Sequence, residues 1–242
     1  MKITLISPYS SLASLGVRSI SASLKKAGHA VSMLFLTSSP FSRLAYSGEL
    51  LDRITELCLD SGLIGISLMS GNFSQAERIT STLKSRLHAP VIWGGIHPTS
   101  RPEECLRVAD IVCIGEGEGT IVELAARMET GADYGDVRNL WLTIEGKIRK
   151  NDLRPLIQDL DSLPFMDYDL DGHHIFTEGD LLVPMTKRIL HERLALEHTL
   201  VPGTGVYQTI WTRGCPYHCS YCCNDIFHTL YTWICGIFCN IF

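Results

Sequence analysis

The stretch LIGISLMSGNFSQAERITSTLKSRLHAPVIWGG, residues 63–95, decides how this chain is built. Leu63–Leu68 is a short run, apolar on both pleat faces, as in a strand buried on both sides. Asn72 is a candidate N-cap for the helical pattern over Phe73–Leu87, and Pro90–Trp93 is strand-like again. Two doubly buried strands joined through a helix by short loops make a βαβ unit, which implies a parallel sheet covered by helices.

The same rhythm extends outward. Upstream lie strand candidates Ile3–Ile6 and Ala30–Leu36, with a helix over Gly16–Ala27 that stops at Gly28. Leu50–Leu59 has helical spacing that sets Leu50, Leu51, Ile54, Leu57 and Cys58 on one face. Downstream, Ile111–Ile114 adds a fifth strand and Thr120–Met128 a helix that closes before Gly131. The expectation is an α/β fold over residues 1–134: a doubly wound, flavodoxin-like, five-stranded parallel sheet. Between 135 and 205 the pattern changes. Asn139–Ile144 and Lys147–Lys150 flank Glu145-Gly146 as a β-hairpin. Gln158–Pro164 reads as an acidic linker, and Pro184–His198 as a helix with Pro184 in its first position. A strand over Val206–Thr212 opens the last segment, 206–242.

The 242 residues are 45% hydrophobic and 19% charged, with a net charge of −5, which is enough to bury a core without disulfide staples. No run of Lys or Arg occurs, so no nucleic-acid partner is expected. The nine cysteines are unevenly placed: Cys58, Cys105 and Cys113 are scattered, whereas Cys215, Cys219, Cys222, Cys223, Cys235 and Cys239 crowd the end. Nothing after Met1-Lys2 has the form of a signal peptide. A cytoplasmic setting with reduced thiols is therefore expected, in which clustered cysteines read as metal-binding or catalytic and scattered ones as small core residues. Residues 226–242 hold no Asp, Glu, Lys or Arg; a membrane helix there would be minimal in length and interrupted by His228, Asn240 and two threonines. An abnormal chain end is the preferred reading, with no membrane partner.

Cys215-Pro216-Tyr217-His218-Cys219-Ser220-Tyr221-Cys222 is a C-x3-C-x2-C motif. Three thiolates on one tight loop reach three corners of an iron–sulfur cube and leave the fourth iron open to a ligand. Zinc also takes thiolates, but a structural zinc site wants four ligands, the fourth from His218, Cys223, Cys235 or Cys239.

With Thr212-Arg213-Gly214 in front of it, this motif resembles the cluster loop of radical S-adenosylmethionine enzymes. Gly65–Met69, Trp93–Thr99 and Gly115–Glu118 resemble the cobalamin-binding domain that precedes the radical domain in one branch of that superfamily. The linker Asp159–Pro164, with Asp167-Tyr168, is typical of the same branch, so the resemblance covers roughly residues 1–225. It implies that Cys215, Cys219 and Cys222 hold a 4Fe–4S cluster whose open iron chelates S-adenosylmethionine. One electron then cleaves the sulfonium to a 5′-deoxyadenosyl radical, and the protein's share is positioning and redox tuning. It further implies cobalamin lying across the strand ends, against Ser7, Pro8, Gly16, Ser67, Met69, Gly94, Gly95, Gly115, Glu116 and Gly117.

The residues themselves are compatible with that reading. The loops Ser7–Gly16, Ser67–Asn72, Gly94–Thr99 and Gly115–Gly119 are rich in Gly, Ser and Pro, which allows close backbone approach to a bulky ring. Tight strand–helix turns are the simpler use of the same glycines. A dinucleotide site fits worse: Gly115–Gly119 has the wrong spacing for G-x-G-x-x-G, and Glu116 and Glu118 would repel a pyrophosphate. The first loop contains no histidine and hence no D-x-H-x-x-G motif, so no cobalt ligand is expected from it; His97 reads as a rim loop residue.

The implied activity is methyl transfer or carbon rearrangement on a small-molecule or peptide substrate, with an electron donor such as flavodoxin or ferredoxin. A corrinoid-binding module without turnover and a zinc-binding structural protein are the other readings. By resemblance the radical domain is a partial TIM-type barrel of about six strand–helix units, needing on the order of 200 residues after its first strand. Only 20 residues follow Cys222, and Leu230–Cys235 lacks the amphipathic helix expected there. A truncated product without turnover is the expectation.

Overall fold

The computed structural model describes residues 1–9, 11–36, 46–177, 181–197, 210 and 212–231. Five strands form the heart of the sheet: β1 (Lys2–Ser7), β2 (Ala30–Phe35), β3 (Leu63–Ser67), β4 (Val91–Gly94) and β5 (Ile111–Cys113). Their spatial order is β5-β4-β3-β1-β2 and all pair in parallel, with Ile3 opposite both Val31 and Leu63. This is the flavodoxin-like core read from the sequence. Because β1 is central, successive pleat positions must be apolar on both sides, and its Ile3, Leu5 and Ile6 are fully or almost fully buried.

Helices α1 (Leu15–Lys26) and α6 (Glu118–Thr130) pack on one face, α2 (Gly48–Cys58) and α3 (Phe73–Arg86) on the other. Two apolar cores result. One gathers Ile3, Leu5, Leu24, Met33, Phe35 and Leu124; the other gathers Ile6, Leu34, Leu50, Ile54, Ile79 and Trp93. Burying each such side chain contributes roughly 1.5–3 kcal/mol, which offsets the entropy of ordering the chain. Gly65 in β3 marks a close approach: a Cβ there would stand 2.8 Å from Leu5 Cδ2. Cys58, Cys105 and Cys113 are buried in these cores, as expected.

The sheet is wider than the five expected strands: among the described residues nine are paired in one sheet. The hairpin β6 (Leu140–Ile144) and β7 (Lys147–Lys150) continues it antiparallel from β5, with Cys113 opposite Leu140. Its turn, Glu145-Gly146, has φ of 51° and 75°, the left-handed pair that a tight two-residue hairpin requires. On the far edge β8 (His174–Thr177) pairs in parallel with β2, and β9 (Leu181–Pro184) pairs antiparallel with β8. The segment read as linker and helix therefore also completes the sheet. Pro184 ends β9 rather than starting a helix; α7 begins at Lys187 (Lys187–Glu197). Asn72 precedes α3 but does not cap it with its side chain, which donates instead to the Pro8 carbonyl at 2.9 Å. The short helices α4 (Ile96–Ser100) and α5 (Pro102–Cys105) replace the expected loop after Gly95. Of the expected strand 206–212, only Ile210 and Thr212 are among the described residues.

Two buried polar clusters tie the 159–173 segment down. Arg18, 1% exposed, donates to the carbonyls of Leu12, Ala13 and Asp167, and its guanidinium lies 4.1 Å from the Tyr168 ring centre and 4.7 Å from that of Phe35. Beside it the buried Asp167 carboxylate accepts from Ser21 Oγ (2.5 Å) and pairs with Lys25 Nζ (2.8 Å) and His173 Nε2 (3.3 Å). Since Met33 N–H donates to His173 Nδ1, the histidine proton sits on Nε2 and points at Asp167. Burial alone would raise the Asp167 pKa; the hydrogen bonds from His173, Lys25 and Ser21 outweigh it and hold the carboxyl well below the usual range.

Candidate functional site

In an open α/β sheet the crevice opens at the strand carboxyl ends where the order reverses, here between β1 and β3. A cavity of about 420 Å³ lies there. Its floor is apolar, formed by Leu5, Ile6, Ile66, Ile92 and Cys113, with Val17, Ile20 and Ile121 from α1 and α6. Its rim is small: Gly16, Ser67, Gly94, Gly95, Gly115 and Gly117, with Glu116 and Glu118 between and after the last two. Ile210, Thr212, Arg213, Gly214 and Phe227 close it from the cysteine-loop side.

The structure thus gathers Gly16, Ser67, Gly94, Gly95, Gly115, Glu116 and Gly117 of the predicted contacts around one cavity. The remaining three do not line it. Ser7 is buried and hydrogen-bonds Ser14 Oγ at 2.7 Å, the Pro8 carbonyl holds Asn72, and Met69 is exposed. Ser7 and Pro8 thereby brace the first loop rather than line the crevice. At Gly95 φ is +101°, and a Cβ would lie 3.0 Å from the Leu68 carbonyl, so the Gly94-Gly95 turn has a conformational reason for glycine beyond any ligand. Gly16, in contrast, has nothing within 4 Å of a Cβ. A small-residue rim over an apolar floor suits a flat, bulky ligand, with Tyr231 lying against the rim at Gly115.

His97 is buried beside this rim, with Nδ1 2.9 Å from Ser70 Oγ and its ring edge-on to Phe73. It does not line the cavity. Burial lowers its pKa, against the opposing pull of Glu104, so the imidazole is held toward the neutral form.

The cysteine loop packs against the same rim. Arg213 Nη1 is 2.9 Å from Glu116 Oε1, and Nη2 is 2.5 Å from Glu118 Oε1. Burial opposes ionisation of Glu118, but Arg213 and Ser19 overcome it and lower its pKa. The two acids expected to repel a pyrophosphate are thus paired with a cation 97 and 95 residues away, which sequence spacing gave no means to find. Beyond the loop lies a short helix, α8 (Asn224–Leu230), which ends where the stretch read as lacking a helix, 230–235, begins. It carries Phe227 into the cavity wall and sets Tyr231 against Gly115, where burial pushes the Tyr231 hydroxyl up to about 12.

Cys215 lines a second cavity of about 440 Å³, between the loop and Leu156–Asp161. Cys219 and Cys222 share one turn, closed by Cys222 N–H donating to the Cys219 carbonyl at 2.9 Å. All three thiols are partly exposed and free of disulfides. Among the described residues no group of three or more His, Cys, Asp or Glu is drawn together as a metal-binding set. The donors suit an iron–sulfur cluster by type and access, and holding one requires the loop to close around it. Of the proposed zinc ligands, His218 is engaged with Asp225 at 3.2 Å, and Cys235 and Cys239 lie outside the described residues. No helix among the described residues is long and apolar enough to cross a membrane.

Comparison with known proteins accords with this geometry. Residues 1–125, more than half of the chain, match the B12 binding domain, and the chain belongs to that family. It is 27% identical over 219 residues to an anaerobic magnesium-protoporphyrin IX monomethyl ester cyclase of Synechocystis, covering 89% of this chain and 38% of that protein. It is 30% identical over 171 residues to an uncharacterized methyltransferase of Pyrococcus horikoshii, covering 69% of this chain and 32% of the relative. The chain therefore spans about a third of the length of these relatives. Among solved structures, the radical S-adenosylmethionine methyltransferase TsrM of Kitasatospora setae superposes with a TM-score of 0.54 at 20% identity, over 62% of this chain and 30% of that one. The cobalamin-dependent S-adenosylmethionine radical enzyme OxsB gives 0.56 at 20% identity, over 68% and 24%. These two likenesses concern the fold.

Proposed function

We propose that the crevice between β1 and β3 binds cobalamin, and that Cys215, Cys219 and Cys222 hold a 4Fe–4S cluster serving S-adenosylmethionine chemistry. The observation that supports this most is the single cavity shared by the glycine rim of the B12 binding domain and the cysteine loop. When bound, the cluster would supply an electron for cleavage of S-adenosylmethionine, and the corrinoid a methyl carrier or partner in carbon rearrangement.

The chain's own residues do the rest. Leu5, Ile66 and Ile92 exclude water beneath the ring, while Gly94, Gly95 and Gly115 let the backbone approach it. Among the described residues no histidine lines the cavity, so none of them would offer an imidazole to a corrinoid held there. A reducing cytoplasm, a flavodoxin- or ferredoxin-type electron donor and a small-molecule or peptide substrate complete the proposal. Anaerobic reconstitution with iron and sulfide, followed by EPR of the reduced protein, tests the cluster. A 4Fe–4S signal is expected, and a silent spectrum with one zinc per chain would replace it by the structural-zinc reading.

A further inference from the structure

Arg213 stands two residues before Cys215 and is gripped by two carboxylates of the rim, Glu116 at 2.9 Å and Glu118 at 2.5 Å. The side chains of Arg213, Glu116 and Glu118 are only 24%, 17% and 7% exposed. Neither acid is loose. Glu118 Oε1 also accepts from Ser19 Oγ of α1 at 2.7 Å, and Glu116 Oε2 accepts from the Ile157 N–H at 2.7 Å. Asn139, with φ of +67°, donates its side-chain amide to the Glu116 carbonyl at 3.0 Å. The grip is therefore braced from α1, from the hairpin and from the 154–159 segment.

A planar guanidinium spans two carboxylates with separate N–H groups, which a lysine ammonium on a flexible stem does less well. Exposed pairs contribute little, but a largely buried and pre-braced pair resists separation. We propose that Arg213 is a positioning residue: it docks the cysteine loop on the Gly115–Glu118 rim and so fixes Cys215 relative to the crevice. The docking deepens the cobalamin reading, since that crevice is the corrin site under the proposed function.

The test is the rate at which iodoacetamide alkylates Cys215 in the full chain, read by peptide mass spectrometry with and without methylcobalamin in dim light. Arg213→Met and Glu118→Gln should each raise the rate about tenfold as the loop opens locally. Combining them should add little, because Arg213→Met already removes the Glu118 pair along with the Glu116 pair. Arg213→Lys should fall between wild type and Arg213→Met, a rescue that simple loss of packing would not give. Methylcobalamin should slow the reaction in wild type and not in Arg213→Met. An unchanged Cys215 rate in Arg213→Met overturns the docking role, as does a rise shared with Cys58 and Cys113, which would signal general unfolding. If wild type takes up no methylcobalamin yet the variants still release Cys215, the docking stands and the cofactor reading falls.

Discussion

Asp167 accepts a serine hydroxyl and faces a lysine and a histidine while almost fully buried, so removing it leaves the Ser21 hydroxyl and the His173 N–H without their acceptor, while Lys25 keeps Asp169 at 3.1 Å. Asp167→Ala should cost about 1–3 kcal/mol in urea unfolding, the range for leaving buried donors unsatisfied. The folded-state pKa is depressed, so this stability is fully present above the ordinary carboxylate value near 3.8 and is lost as pH falls below it. Asp167→Asn should abolish that acid-side slope; an unchanged slope would show that Asp167 does not carry it. The cysteines divide equally sharply. Burial pushes Cys58, Cys105 and Cys113 up to about 12, whereas Cys215, Cys219 and Cys222 are partly exposed. Native-state alkylation should label the latter three and spare the former. That division was legible from position alone. The Arg213 partners were not, because ion pairs across 97 and 95 residues leave no local pattern.

At the scale of elements, glycine does two different jobs in the rim. Gly95 combines φ of +101° with a carbonyl 3.0 Å from a would-be Cβ, so Gly95→Ala should cost about 1–2 kcal/mol. Gly16 lies inside α1 with open space around it, so Gly16→Ala should stabilise the fold by about 0.5–1 kcal/mol. Thermal unfolding of the two variants distinguishes them by sign. The five parallel strands were readable because doubly buried strands are apolar throughout, and the hairpin because Glu145-Gly146 fits its turn. The edge pair β8–β9 was not. Each has four residues, His174-Ile175-Phe176-Thr177 is half polar, and Pro184 imitates a helix start while ending an edge strand, where its missing N–H is tolerated. Asn72 misled in a similar way, since its amide found the Pro8 carbonyl instead of the helix end.

Over the whole molecule, the crevice, the glycine rim and the cysteine loop meet at one end of the sheet, and α8 covers part of that meeting point. Tyr231 lies against Gly115 and Phe227 lines the cavity, so a corrin must displace or share space with them. Tyr231→Ala should therefore raise methylcobalamin affinity, by about fivefold if the covered state is the dominant one, because less of the binding energy goes into uncovering the rim. Of the ten proposed corrinoid contacts seven line this cavity, while Ser7, Pro8 and Met69 stand outside its lining, where their positions depend on how the first and third loops brace each other. The most direct measurement is a visible-absorbance and gel-filtration titration of the full chain with methylcobalamin. Binding of one corrinoid per chain, weakened by bulk at Gly94 or Gly115, is the predicted result. A chain that emerges free of corrinoid, with its fold intact by circular dichroism, would contradict the account.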